Sequence, residues 1–120
     1  MLLWHATSIA NGRRVCTGGL RPVRFAPRWG TLTTSRRGAL SYGYRSPYGK
    51  AEPGGVVLGF DVPESEARKF FWPEPIRAGG FGTQYALRRP LPARFIRVAL
   101  VYPYRGRSAE VTCRELRRGG

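Results

Sequence analysis

Met1-Leu-Leu-Trp-His-Ala-Thr-Ser8 opens the chain. Leu2, Leu3 and Trp4 lead into His5, the single histidine of the sequence, and small and hydroxylated residues follow. The pattern reads as a short buried strand that ends in a polar loop and delivers a ring nitrogen at the strand's end. A side chain held there by a rigid sheet is well placed to meet a ligand. The plain alternative is an edge strand with an exposed histidine, and the short motif alone favours that alternative. The rest of the chain shifts the balance.

Working outward, Ser8 offers an N-cap for a helical turn or two over Ser8–Arg14. Gly18-Gly-Leu-Arg-Pro22 reads as a turn followed by extended chain, because a residue before proline avoids the helical region. Val23–Trp29 is an irregular basic loop, and Gly30–Thr34 is β-prone. Ser35 then caps a short helix over Arg36–Tyr44, with Ala39 and Leu40 inward and Tyr42 and Tyr44 at its end. Arg45–Gly55 is a loop rich in Pro, Gly, Tyr and Ser.

Gly55-Val-Val-Leu-Gly-Phe-Asp61 is the clearest strand, apolar enough to be buried on both faces and therefore central. Pro63–Phe71 reads as a helix with proline at its first position, acids early and bases late, which suits the helix dipole. Trp72–Gly80 is a loop. Phe81–Arg88 is a strand with Phe81, Thr83, Tyr85 and Leu87 on one face and Gly82, Gln84 and Ala86 on the other. Pro90-Leu-Pro92 is a break, Phe95–Tyr102 a second strong strand, and Ala109–Leu116 an edge strand. About six short strands with two or three short helices make a mixed α+β domain over residues 1–120.

The charge restricts the company the domain keeps. There are 21 Lys+Arg against 7 Asp+Glu, a net charge of +14, and only Lys50 and Lys69 among the basic residues are lysines. The planar fork of arginine suits phosphate and carboxylate. Nucleic acid, a dinucleotide or an acidic protein is the expected partner, with a merely solvated cationic surface as the plain alternative. Cys16 and Cys113 fit no zinc or redox spacing, and with one histidine a structural zinc site is not expected. Whether the two cysteines pair stays open on sequence alone. The apolar start is too short for a signal sequence or a membrane span, so no membrane association is expected.

Taken in order, the pieces form a pattern: His-Ala-Thr-Ser at a strand end, Gly-Leu-x-Pro at Gly19–Pro22, the β-prone Gly30–Thr34, a short helix ending at Tyr42, the strand Val56–Phe60, Gln84-Tyr85 on a later strand, and Pro-x-x-Phe-Ile at Pro92–Ile96. This order resembles the ADP-ribosyltransferase superfamily on its diphtheria-toxin and poly(ADP-ribose)-polymerase side, over roughly residues 2–102. The resemblance implies a split antiparallel β-sheet core with NAD bound in the cleft between two half-sheets. It implies that the His5 ring hydrogen-bonds the adenosine ribose and that backbone groups at Ala6, where the family usually has Gly, hold the nicotinamide amide. Thr7 stands where the family has Ser or Thr. Tyr42 would stack on the nicotinamide ring, with Tyr44 as the alternative register. The family's other sandwiching tyrosine falls near Leu32, so that ring is absent.

Gln84 falls where the family's catalytic Glu is expected. Glutamine keeps the hydrogen bond to a ribose hydroxyl but supplies neither a base nor a charge. The function implied is mono-ADP-ribosyl transfer from NAD, with release of nicotinamide, to a nucleic acid (RNA before DNA) or an acidic protein. The setting would be a monomeric toxin, effector or defence domain, cytoplasmic or delivered into a target cell's cytoplasm. The RNA 2′-phosphotransferase branch is similar in order and is the second reading, since its phosphate acceptor needs no base. That branch keeps a second histidine where this chain has Gly30–Thr34. The third reading is an inert NAD- or nucleic-acid-binding module. Arg36-Arg37 and Arg88-Arg89, beside the expected cleft, would contact pyrophosphate or RNA.

Overall fold

A computed structural model of the chain describes residues 1–22, 32–39, 55–77, 82–102 and 109–118. The elements in order are β1 (Leu2–Ser8), α1 (Ile9–Gly18), β2 (Leu32–Thr33), a helical turn α2 (36–39), β3 (Gly55–Asp61), α3 (Glu64–Phe70), β4 (Ile76–Arg77), β5 (Thr83–Tyr85), a 3₁₀ turn (Ala93–Phe95), β6 (Ile96–Tyr102), β7 (Ala109–Val111) and α4 (Cys113–Arg118). The strands form one seven-stranded sheet in the order β4-β5-β2-β1-β3-β6-β7, and every pairing is antiparallel. The domain is therefore α+β.

The middle of the sheet is the strongest part. β1 and β3 pair without interruption from Leu2↔Asp61 to Ser8↔Gly55. β3 continues onto β6 from Gly55↔Tyr102 to Gly59↔Val98, then shifts register to Phe60↔Ile96 through a bulge. Val56 to Phe60 are all buried, as the apolar run required of a central strand.

The two sheet faces differ. Leu3, Val56, Leu58, Phe60 and Ala99 share one face with Val15 and Cys16 of α1 and Leu116 of α4, forming the main core. The reverse face carries a smaller cluster of Ala39, Val57 and Leu100, with Trp4, Ala6, Val98 and Tyr102 packed against it. Fully burying a side chain of Val or Leu size contributes about 1.5–3 kcal/mol, so the main core dominates stability.

The local signals explain most element ends. The Ser8 hydroxyl accepts from Asn11 N at 3.1 Å and starts α1. Gly19, at φ +83°, ends it, and a Cβ there would strike the Leu91 carbonyl oxygen. Leu20 and Leu91 then bond in both directions, N to O, at 2.9 and 2.8 Å. The segment Pro90–Pro92 is thus a break whose central leucine is wholly buried. Ser35 caps α2 through Gly38 N at 2.9 Å.

Three expectations need correction. Ala109–Leu116 is not one strand: β7 ends at Val111 and α4 follows. The reason is a capping box. The Thr112 hydroxyl accepts from Glu115 N at 3.2 Å, and Glu115 Oε1 accepts from Thr112 N at 3.4 Å. The loop expected over Trp72–Gly80 contains β4, which pairs with β5 as Ile76↔Gln84 and Arg77↔Thr83. The strand expected over Phe81–Arg88 shrinks to Thr83–Tyr85, preceded by Gly82 at φ +74°.

The open question of the cysteines is resolved. Cys16 of α1 and Cys113 at the start of α4 are disulfide-bonded, with Cα atoms 5.3 Å apart and a sequence separation of 97.

Two stability predictions follow from this packing. Gly59 faces Trp4, and a Cβ there would lie 2.8 Å from Trp4 Cζ3 and 2.9 Å from Val98 Cγ1. Gly59→Ala is expected to destabilise by about 1–3 kcal/mol through overpacking, whereas Gly18→Ala, with nothing within 4 Å of the new atom, should be neutral or stabilising. Urea unfolding of the two variants checks the contrast. Replacing both cysteines by serine should cost about 2–5 kcal/mol, read as a lower denaturation midpoint than the oxidised parent.

Candidate functional site

The register settles which side chains share a face, because directly opposed residues in an antiparallel pair point the same way. One row runs across six strands: Ile76, Gln84, Thr33, Trp4, Gly59, Val98. It lies on the face of the smaller cluster, since Trp4 and Val98 pack there. The neighbouring row on the opposite face runs Tyr85↔Leu32, then His5↔Leu58↔Ala99↔Val111. The pair Trp4↔Thr33 continues to bring Leu32 opposite His5, so the row is continuous from Tyr85 to Val111.

His5 therefore sits half-buried on the main-core face with Leu3 and Thr7, in the middle of β1 and not at the strand's end as expected, because the pairing with β3 continues through Ala6, Thr7 and Ser8. Ala6 points to the reverse face, where it packs against Val57 and Leu100. Thr7 is held by its own helix: its hydroxyl accepts from Asn11 Nδ2 at 2.7 Å. One asparagine thus ties the end of β1 to the first turn of α1 through both Thr7 and Ser8. Leu32 is buried at 1% exposure beside His5. Tyr42 and Tyr44, expected to stack on a ligand ring, lie outside the described residues.

Gln84 and His5 are on opposite faces of the sheet. Gln84 stands in the row with Thr33 and Trp4, and Tyr85 stands in the row with Leu32 and His5. Tyr85 is half-buried, with its ring 5.6 Å from that of Phe71. The alternation within Phe81–Leu87 already separated Gln84 from Tyr85. What the sequence did not contain was the register of the two-residue β2, which decides which of them shares the face of His5.

The arginine pairs are all on the surface. Arg36 and Arg37 on α2 are exposed, and Arg36 Cζ lies 5.9 Å from the centre of the Trp4 ring, a cation–π approach on the Gln84 face. Arg88 and Arg89 are exposed in the turn after β5, with Arg88 N bonded to Phe70 O at 2.8 Å.

The contact between β1 and β2 is narrow. Among the described residues it consists of the pair Trp4↔Thr33, whereas β1 and β3 pair along their whole length. Among the described residues, the half made of β4, β5 and β2 meets the half made of β1, β3, β6 and β7 through this pair, with the row Tyr85-Leu32-His5 crossing that seam. Among the described residues no three His, Cys, Asp or Glu side chains come together as a metal site, and no helix is long and apolar enough to cross a membrane. Comparison with protein-family models, with curated proteins and with solved structures finds nothing that matches this chain.

Proposed function

We propose that the chain is a mono-ADP-ribosyltransferase that uses NAD and passes ADP-ribose to an acceptor that arrives already ionised. The observation that carries the reading is the row Tyr85-Leu32-His5 across the seam between the two halves of the sheet. A seam between half-sheets, bonded among the described residues at Trp4↔Thr33, is where a dinucleotide can lie, and a histidine beside it supplies a ring nitrogen for a ribose hydroxyl. Backbone groups at Ala6 would hold the nicotinamide amide, and Tyr42 or Tyr44 would stack on its ring, as the resemblance implies.

In the reaction, the bond from the ribose C1′ to the nicotinamide nitrogen breaks. Nicotinamide leaves with the bonding electron pair, which neutralises its pyridinium charge, and an acceptor oxygen forms the new bond to C1′. An acceptor hydroxyl must lose a proton in this step; a phosphate oxygen need not. Neither row contains an aspartate or a glutamate. The one basic ring in them, His5, is assigned to the ribose on this reading, which leaves no side chain of the two rows to replace the missing carboxylate base, and the reading therefore favours a phosphate or other anionic acceptor. That same feature favours, as a second reading, the 2′-phosphate of an RNA.

On this reading Tyr85 holds the second ribose through its hydroxyl, and Gln84 belongs to the other face. Titration with NAD while nicotinamide release is followed, with and without RNA, tests the activity. His5→Ala should weaken NAD binding about tenfold, the loss of roughly 1.4 kcal/mol, with the circular dichroism of the parent retained. Unchanged affinity overturns the site. Tyr85→Phe should lower release several-fold, while Gln84→Ala leaves it within twofold; the reverse result returns the role to Gln84. NAD binding without release identifies an inert binding module.

A further inference from the structure

We propose that the paired helices α1 and α4 form a phosphate-binding platform for nucleic acid, separate from the His5 row and independent of the reading of that row. Two short helices at opposite ends of the chain place five arginines on adjoining elements: Arg13 and Arg14 on α1, and Arg114, Arg117 and Arg118 on α4. The helices are locked side by side. The Cys16–Cys113 disulfide joins them, Arg13 Nε donates to Leu116 O at 2.9 Å, and Leu116 Cδ2 lies 3.6 Å from where a Cβ on Gly12 would be.

The two helices hold no acid left over to compensate the exposed arginines of the platform. α1 contains no acid, and the one acid of α4, Glu115, is engaged by Thr112 in the helix cap, its Oε1 accepting from the Thr112 hydroxyl at 3.1 Å. Arg14, Arg114, Arg117 and Arg118 are exposed. Among the described residues none of the four forms an ion pair, whereas Arg94 and Arg97 meet Glu66 and Asp61 at 3.8 and 3.7 Å. Arg117 and Arg118 do complement the C-terminal end of the helix dipole, but that effect needs only one charge and fades within a turn. It does not account for Arg14 or Arg114.

The geometry points to a nucleic-acid backbone. Arg114 to Arg118 rise roughly 6 Å along α4 at about 1.5 Å per residue, and Arg14 adds an exposed charge on the neighbouring helix, enough to meet more than one phosphate of a strand. Guanidinium forks favour phosphate oxygens. A lipid surface would call for exposed apolar side chains beside the charges. The exposed large hydrophobics among the described residues are Leu2 and Ile76, and neither lies on these helices.

The test is fluorescence anisotropy of a labelled 20-nucleotide single-stranded RNA, titrated with the oxidised full chain between 50 and 200 mM salt. Each phosphate contact removed should lessen the slope of log K against log salt by about 0.7. Arg114→Gln/Arg117→Gln/Arg118→Gln should therefore bind at least tenfold more weakly, with a slope smaller by about 2. Arg68→Gln/Lys69→Gln, two exposed charges on α3, should change affinity less than threefold. Single Arg114→Gln and Arg117→Gln variants, each moving the slope by about 0.7, keep the test valid if the triple variant misfolds. Unchanged affinity and slope in the platform variants overturns the proposal, as does equal competition by polyglutamate at matched charge. Failure to bind NAD bears only on the His5 row.

Discussion

The uninterrupted antiparallel contact between β1 and β3 is the constraint on which the remaining elements depend. It buries Leu3 against Phe60 and Leu58, and it fixes the direction of every side chain in the opening strand. Once Leu3 points into the main core, Trp4 must point out of its reverse side, and His5 must follow Leu3. The bulge at Gly59/Phe60 then lets β6 keep both of its faces useful, with Val98 beside Trp4 and Ile96 returned to the core. α1 follows directly because the strand ends on Ser8, which serves as the cap of the next element. Strand, turn and helix are thus one continuous unit over the first eighteen residues.

Much of this was readable in the residues. The β3 run, the acid-to-base gradient of α3, the serine caps at Ser8 and Ser35 and the strength of β6 each carry a local cause that outweighs context. The misses also have physical causes. Thr112-x-x-Glu115 is a helix start, but Ala109–Val111 before it favours a strand, and the two signals adjoin without a break residue between them. β4 has two residues and exists through its partner β5, with little intrinsic preference of its own. The disulfide depends on two helices from opposite ends of the chain meeting over β3, which no spacing rule encodes.

The candidate site shows the same division. His5 on a strand and the arginines on the surface could be placed from sequence pattern. The face of Gln84 could not. Alternation along a strand says that neighbours diverge, but the choice between Gln84 and Tyr85 passes through Leu32↔Tyr85 and Trp4↔Thr33, two contacts made by a strand of two residues. A shift of one residue in β2 would exchange them. The chemistry assigned to the row is thus set by register more than by residue type.

The covalent link between α1 and α4 has a topological consequence. Cys16 and Cys113 close a ring that contains β2 through β7 and leaves β1 and the first turns of α1 outside it. A single backbone cut anywhere between the two cysteines opens the ring without dividing the molecule, so both fragments stay attached. β1 has no such insurance, although it is the strand that carries His5: a cut between β1 and Cys16 releases it to hydrogen bonds and packing alone. In this chain, tolerance of cleavage is therefore greatest around the ring and least at the opening strand.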